Sequence, residues 1–384
     1  MTNLVVRGAL ATLLLTAGGC STIESLNPFS SSATKTKPAE LVAIVPTAEF
    51  RVAWQSSIGE SKEYSFTPAV IGNSVYVGAR DGSLARIDDG RQVWRINAGQ
   101  ALAGGVGSDG KLVVVGTSKG EVLAFDAATG RAAWKTQVNS EVLAAPAVSD
   151  GLVVVRSGDS RIFGFEAADG KRRWVYQRAT PTLSLRSFAG VVIAGRTILS
   201  GFPGGKLLAL GAENGTVLWE ATVAVPKGAT ELERISDITS LPVLLGNEVC
   251  AVAYQGRVAC FALGNGSQLW SREVSSSSGL DMDAKSVYVS DEKGSVLAFD
   301  RSNGSSLWKQ DKLFMRGLSR PLVVGKHLVV ADADGVTHLM NCEDGSFAAR
   351  FGGDGGGIFA DPQRFKEGLV IQTRSGGVFA LSVR

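Results

Sequence analysis

Residues 111–134 read KLVVVGTSKGEVLAFDAATGRAAW, which contains three short strands separated by two turns. The apolar segments are brief and rich in Val, as is typical of strands. Gly120 and Gly130 end the two turns. Glycine at these places supplies the positive φ that lets neighbouring strands pair as hairpins. The stretch therefore predicts antiparallel β-structure, and no helical period runs through it.

The same stretch recurs along the chain, and a tryptophan marks most copies. Successive tryptophans lie 40, 40, 40, 45, 51 and 38 residues apart. In six copies a glycine stands four residues before the tryptophan, whereas in a seventh Gly345 is followed at that interval by Ala349. A period of about 40 residues is that of a four-stranded β-propeller blade. We interpret the tryptophans as packing between neighbouring blades rather than as a ligand cage. They are Trp54, Trp94, Trp134, Trp174, Trp219, Trp270 and Trp308.

The last unit is divided between the two ends of the sequence. Residues 368–384 supply two strands, whereas residues 50–58 carry Trp54 and belong to no other unit. The first strand is therefore predicted to complete the last blade, which removes an open sheet edge from the ring. The predicted fold class is all-β, an eight-bladed propeller of four-stranded antiparallel blades over residues 50–384.

The N-terminus has the features of a signal peptide. Arg7 precedes a short apolar run, and small residues stand directly before Cys20. This arrangement resembles a bacterial lipobox, which predicts removal of residues 1–19 and lipidation of Cys20; the alternative is an ordinary signal peptide with a chance cysteine. Ser21 stands where Asp often marks retention at the inner membrane, so we expect a lipid-anchored protein at the periplasmic face of the outer membrane. Residues 20–49 are predicted to comprise the lipidated cysteine and a flexible tether rich in Ser, Thr, Lys and Pro.

Charge and cysteine content limit the class of protein further. The net charge of +3, with no Lys- or Arg-rich stripe, argues against nucleic-acid binding. Four cysteines are too few for a disulfide framework, and Cys250, Cys260 and Cys342 are those that follow Cys20. A two-residue turn at Gln255 and Gly256 would point Cys250 and Cys260 to opposite faces, which predicts buried thiols, whereas a longer turn would allow a disulfide.

Two connectors between blades are longer than the rest. The intervals of 45 and 51 residues begin at Trp174 and Trp219, so the insertions lie in consecutive connectors. Such connectors are neighbours in the ring, and insertions in repeat proteins often form the binding face. The first carries Leu183, Leu185 and Arg186 within polar sequence, a composition that suits a protein interface. The residues alone leave open that both leucines pack beneath the propeller rim.

The repeat also resembles a known family. Residues 126–134 (DAATGRAAW) and 300–308 (DRSNGSSLW) resemble the repeats of pyrroloquinoline-quinone-type propellers. With the lipobox and the segments 182–186 (TLSLR) and 234–237 (RISD), the chain from Cys20 to Arg384 resembles the BamB family, lipoproteins of the outer-membrane β-barrel assembly machinery. The resemblance implies a non-catalytic scaffold without a cofactor, which aids the folding and insertion of outer-membrane proteins.

The resemblance implies partners as well. In BamB proteins the two segments meet the periplasmic domains of BamA, and other assembly-complex subunits and unfolded outer-membrane proteins are further candidate partners. The contact residues implied here are Leu183, Leu185, Arg186 and Asp237. Asp237 would act directly, or indirectly by pairing with Arg186 or Arg234 to fix a loop. Thr239 stands where the family often has a second acidic residue. Because connectors lie outside the blade core, we expect substitutions there to change stability little.

Two other functions compete with the scaffold. A periplasmic quinoprotein dehydrogenase would need a calcium site, an Asp base and commonly a pair of adjacent cysteines; no two cysteines are adjacent, and His327 and His338 are the only histidines. We therefore predict no catalytic or metal-binding residues. A propeller that binds polysaccharide or cell wall would line its central channel with aromatic side chains, which the sequence does not settle.

We predict that Cys20 carries the lipid anchor. The wild-type protein should begin at Cys20, carry acyl chains by intact mass and partition into detergent, because several buried acyl chains bind a membrane firmly. Cys20→Ser should remain aqueous, whereas Cys342→Ser should partition as the wild type does. A wild-type protein without acyl mass would contradict the prediction.

Overall fold

The computed structural model describes residues 37–384 and folds them into eight four-stranded antiparallel sheets arranged in a ring. The predicted signal peptide, Cys20 and most of the predicted tether lie outside the described residues. In residues 37–384 all regular structure is β-strand, and no helix there could cross a membrane. The predicted eight-bladed propeller is confirmed.

The strands are numbered in chain order. Those of the first half of the ring are β1 (Phe50–Ser57), β2 (Ala69–Ile71), β3 (Ser74–Gly78), β4 (Ser83–Asp88), β5 (Arg91–Asn97), β6 (Gly107–Ser108), β7 (Leu112–Gly116), β8 (Glu121–Asp126), β9 (Ala132–Gln137), β10 (Ala147–Ser149), β11 (Leu152–Arg156), β12 (Ile162–Glu166), β13 (Arg172–Tyr176), β14 (Val192–Ala194), β15 (Thr197–Phe202), β16 (Lys206–Gly211) and β17 (Val217–Thr222). Those of the second half are β18 (Val243–Leu245), β19 (Glu248–Val252), β20 (Arg257–Ala262), β21 (Gln268–Glu273), β22 (Gly279–Met282), β23 (Ser286–Ser290), β24 (Val296–Asp300), β25 (Ser306–Gln310), β26 (Leu322–Val324), β27 (His327–Ala331), β28 (Val336–Asn341), β29 (Phe347–Gly352), β30 (Gln363–Phe365), β31 (Gly368–Gln372) and β32 (Gly377–Val383).

Seven blades use four consecutive strands, from β2–β5 in blade 1 to β26–β29 in blade 7. Blade 8 has the order β30-β31-β32-β1, so the first strand of the propeller is its outer strand, as predicted. In each blade the short first strand faces the central channel and the two middle strands are buried; Val113, Val114 and Val115 of β7, for example, have no exposed surface. The inner strands β2 and β30 contact each other and close the ring.

The antiparallel strand order gives the ring two different faces. Connectors from the outer strand of one blade to the inner strand of the next lie on one face, together with the loops between second and third strands. We call this the connector face. The turns between third and outer strands lie on the opposite face, which we call the turn face.

Tryptophan joins neighbouring blades at the turn face. In six blades the indole N–H of the outer-strand tryptophan donates to a backbone carbonyl in the turn of the following blade, at 2.7–3.0 Å. Trp94, for example, donates to Ala127. The glycine of that turn, Gly130, has φ +71° and lies against the same ring, where an added Cβ would come within 3.0 Å of it. The predicted packing role of the tryptophans is therefore what the structure shows for these six.

Trp54 departs from this pattern. Its ring lies against Gly90 of blade 1, but its indole N–H has no hydrogen-bond partner among residues 37–384. The turn it faces is short, since Asp88 already pairs with Arg91. Because the turn is short, it places no backbone carbonyl where the indole N–H of Trp54 could donate to it.

The boundary between blades 7 and 8 is built differently. Ala349 replaces the tryptophan, and the turn that would receive it is absent because the third and outer strands of blade 8 come from opposite ends of the chain. The backbone N–H groups of Thr47 and Ala48 donate instead to the carbonyl of Ala348, at 3.0 and 3.3 Å. Phe351 and Phe379 pack edge to face across the boundary, with centroids 5.5 Å apart.

Residues 38–49, which the sequence places in the tether, lie along the outer strand of blade 7. Ala39 N–H donates to the carbonyl of Phe314 at 2.9 Å, and Glu49 exchanges two backbone hydrogen bonds with Arg384. The compact unit therefore begins at Pro38, and a tether over residues 20–37 stays a prediction. We call residues 38–49 the lead-in segment.

A buried polar network holds the lead-in segment. Arg316 and Arg350 donate to two of its backbone carbonyls, at 3.1 and 2.5 Å. Asp332, which is fully buried, accepts from Arg316 at 2.7 Å and lies 2.9 Å from Nε2 of His338. Arg350 donates to Nδ1 of His338 at 3.3 Å. Burial lowers the pKa of His338, which keeps the imidazole neutral and able to accept from Arg350.

The cysteines correct one prediction. Cys250 and Cys260 lie directly opposite each other on β19 and β20 and form a disulfide. The turn between these strands is one residue longer than the predicted two-residue turn, because Ala253 N–H donates to the carbonyl of Arg257. The register shifts by one, which brings both side chains to the same face. Cys342 is a thiol, and burial raises its pKa to about 11.

We predict that Trp54→Phe costs less free energy of unfolding than Trp94→Phe. Both substitutions reduce the packed ring area, but only the second removes a hydrogen bond, so the carbonyl of Ala127 keeps only its 3.3 Å hydrogen bond from Arg86. We expect a difference of about 1 kcal/mol. Urea unfolding of the two variants measures the difference. Equal costs would mean that the indole hydrogen bonds contribute little to joining the blades.

Candidate functional site

The two long connectors lie side by side on the connector face. One joins β13 to β14 and the other joins β17 to β18. Ser187 Oγ of the first donates to the carbonyl of Thr239 of the second at 3.3 Å, and Leu185 N–H donates to Oδ2 of Asp237 at 2.7 Å. The structure thus brings the two segments together, as their spacing predicts.

Asp237 is buried beneath this surface and is only 2% exposed. Its second carboxylate oxygen accepts from Gly204 N–H at 3.0 Å, in the loop between β15 and β16. Asp237 therefore satisfies one backbone amide in each of two neighbouring loops. Its carboxylate is bonded to neither Arg186 nor Arg234, so these two predicted partners are wrong. A role for Asp237 in binding a partner, direct or indirect, stays a prediction.

Arg186 lies at the surface with its side chain about half exposed. Its guanidinium group donates to both carboxylate oxygens of Glu141, at 3.2 and 3.0 Å, and this pairing raises the pKa of Arg186. The rings of Tyr64 and Phe188 lie 5.5 and 5.8 Å from the guanidinium carbon. An exposed ion pair of this kind contributes little to stability, but it fixes the direction of the guanidinium group.

The leucines occupy different environments. Leu183 is 42% exposed, and Leu185 is half-buried next to Asp237. The second connector adds two apolar residues that the sequence did not single out, Val225 and Leu232, which are 62% and 68% exposed. We call Leu183, Leu185, Arg186, Val225 and Leu232 the connector surface.

Leu232 is held on an ordered turn. Thr230 Oγ1 accepts from Glu233 N–H at 3.3 Å, and the Glu233 carboxylate accepts from the backbone N–H groups of Ala229 and Thr230 at 2.7 and 3.1 Å. These amides lower the pKa of Glu233. The Thr-x-x-Glu pattern at 230–233 is the sequence signal that could have identified this turn.

The central channel forms a cavity of about 1160 Å³ that is open at the connector face. Its wall is mainly Ala, Gly, Pro, Ser and Val from the inner strands and the residues before them. Its aromatic side chains among the described residues are Tyr64, Phe188, Tyr254 and Phe359, and they come from connectors and a loop at the mouth. This wall does not favour the polysaccharide-binding alternative, which expects aromatic residues along the channel.

Comparisons with known proteins agree with this architecture. A family model described as outer membrane protein assembly factor BamB matches residues 80–310. Proteins of that name from Nitrosomonas eutropha and Bordetella pertussis are 45% and 42% identical over 390 and 376 residues, covering 99% and 97% of this chain and 95% and 96% of theirs. The chain belongs to the BamB family. The crystal structure of BamB from Moraxella catarrhalis superposes with a TM-score of 0.81 at 28% identity, covering 87% of this chain and 100% of that one.

We predict that Asp237→Ala destabilises this BamB-family propeller, in contrast to the small effect expected for connector residues generally. The substitution removes the acceptor of the partly buried Leu185 and Gly204 amides, which should cost about 1–3 kcal/mol of free energy of unfolding. Leu183→Ala, the exposed control on the same surface, should change it by less than about 0.5 kcal/mol. Urea unfolding decides between them, and equal stability of the two variants would contradict the assignment of Asp237.

Proposed function

We propose that this protein is a non-catalytic scaffold of the outer-membrane β-barrel assembly complex and that its connector surface binds the periplasmic domains of BamA. The names of relatives that match nearly the whole chain support an assembly factor rather than a quinoprotein dehydrogenase. The observation that carries the finer proposal is the joining of the two long connectors through Asp237.

The chemistry of the connector surface suits a protein partner. Leu183, Val225 and Leu232 offer exposed apolar area from two loops, and such residues act as anchors when a partner covers them. The loops are already tied to each other by hydrogen bonds, so binding loses less conformational entropy than ordering mobile loops would. Arg186 uses two of its N–H groups on Glu141, and the others are available to a carboxylate of the partner.

We also propose that Cys20 anchors the protein to the outer membrane by its lipid. Residue 39 is held against Phe314, which lies in the connector between β25 and β26. The tether proposed for residues 20–37 would therefore join the propeller at the connector face. A flexible chain of this length has a root-mean-square reach of roughly 25 Å, which would keep the connector surface near the membrane-bound part of BamA.

The binding proposal predicts a specific loss of affinity. Arg186→Ala should weaken binding of the BamA periplasmic domains by about 2 kcal/mol or more, roughly 30-fold, and Leu183→Ala by about 1–2 kcal/mol. Arg196→Ala is the matched control, because Arg196 is an exposed arginine paired with Glu213 on the turn face of blade 4. Leu218→Ala, on the outer strand of the same blade, is the apolar control.

Titration calorimetry with the mature protein in detergent measures these affinities, and circular dichroism checks that each variant is folded. Wild-type affinity in both connector variants would place the BamA contact elsewhere on the ring. Equal weakening in the two controls would show that the effect is not specific to the connector surface.

A further inference from the structure

A buried arginine lies beneath the connector surface. Arg156 ends β11 in blade 3 and is 7% exposed. Its guanidinium group donates to the carbonyl of Ala189 at 3.3 Å and lies 5.3 Å from the ring of Phe202. Burial lowers the pKa of Arg156 to about 10, and the nearby negative charge of Asp237 opposes this shift. Arg156 therefore remains charged at neutral pH, with Asp237 as the countercharge that faces it.

Arg156 and Asp237 line a common cavity. The space measures about 20 Å³, and Leu185, Ser187 and Ala189 of the first long connector also line it. A polar cavity of this size can hold about one water molecule, which needs hydrogen-bonding groups around it. The guanidinium and carboxylate groups supply donors and acceptors, so a bridging water would connect the two charges.

The two charged side chains form hydrogen bonds with the two ends of the backbone segment 185–189. Asp237 accepts from Leu185 N–H, and Arg156 donates to the carbonyl of Ala189. Arg186 lies between these two points, so its backbone position depends on both contacts. The pair also joins separate parts of the ring, because Arg156 belongs to blade 3 and Asp237 to the connector from blade 4 to blade 5.

We infer that Arg156 is a positioning residue for the connector surface: with Asp237 it forms a buried, water-bridged ion pair that holds residues 185–189 in the shape that the protein partner recognises. This inference rests on the proposed function. It assigns Arg156 a role in binding although a partner cannot reach its side chain.

Removing one charge differs in its effect from removing both. Arg156→Met leaves the Asp237 carboxylate buried without a countercharge, which destabilises the fold, whereas the double variant Arg156→Met/Asp237→Asn buries no charge and should recover stability. The double variant does not restore the hydrogen bonds that hold residues 185–189. Met cannot donate to the carbonyl of Ala189, and an Asn amide offers one acceptor atom where the Asp carboxylate offers two. Stability and positioning are thereby separated.

The test uses the mature wild-type protein, Arg156→Met, Arg156→Lys and the double variant. Hydrogen exchange by mass spectrometry follows residues 185–189, and calorimetry follows affinity for the BamA periplasmic domains. Arg156→Met and the double variant should exchange at least about tenfold faster in this segment and bind at least about tenfold more weakly. Arg156→Lys keeps the charge, so it should fold and show a smaller change in both.

Arg316→Met is the matched control. Arg316 is also 7% exposed and faces a buried carboxylate, Asp332, but it lies in the connector that enters blade 7. This variant should melt at a lower temperature than wild type while leaving exchange at residues 185–189 and affinity unchanged. If Arg316→Met lost as much affinity as Arg156→Met, the loss would be explained by general destabilisation of the fold, and the inference would be overturned.

The outcomes also separate this inference from the proposed function. Wild-type exchange at residues 185–189 in both Arg156→Met and the double variant overturns the positioning role, whatever the affinity. Faster exchange with unchanged affinity overturns it as well. In that case Arg186→Ala decides the rest: weaker binding of Arg186→Ala keeps the connector surface as the BamA contact, and wild-type binding removes the proposed function too.

Discussion

The contact between an outer-strand tryptophan and the turn of the next blade is the interaction on which the ring depends. It combines a hydrogen bond from the indole N–H with close packing of the ring against a glycine, as Trp94 shows with Ala127 and Gly130. The glycine is required twice, because its φ is positive and because a Cβ would enter the aromatic ring. Within one repeat, the glycine contacts the preceding blade and the tryptophan contacts the following blade. Each repeat therefore depends on packing against both neighbours for its stability.

The boundary between blades 7 and 8 shows how the packing between blades changes where strands from opposite ends of the chain meet. A turn cannot form where the third and outer strands come from opposite ends of the chain, so a tryptophan at position 349 would have no turn to meet. Ala349 and the lead-in segment resolve this together, since Ala48 and Thr47 bond to Ala348 in the space beside the small side chain. The lost tryptophan in the repeat and the packed lead-in segment are therefore two results of one topological constraint.

The sequence was sufficient for the fold because the inter-blade contact uses residue types with few substitutes. Tryptophan at a fixed distance from glycine gave the blade count, and Trp54 without a unit of its own gave the closure by β1. The register of Cys250 and Cys260 could not be predicted, since it depends on one extra turn residue that the hydrophobic pattern does not mark. The role of Asp237 was also beyond the sequence, because its partners are the backbone amides of Leu185 and Gly204, which carry no residue signature. The exposed positions of Val225 and Leu232 likewise required the folded connector.

The separation of the two faces explains why this ring accommodates long connectors at little cost in stability. The tryptophan contacts between blades lie on the turn face, whereas the long connectors begin at the other ends of the outer strands. Lengthening a connector therefore leaves the tryptophan contacts intact, and the added residues need only satisfy their own backbone groups. Asp237 does this for the two loops next to it, and Glu233 does it within the second connector. The buried carboxylate beneath Leu185 is thus the structural requirement that allows two insertions in adjacent connectors to act as one surface.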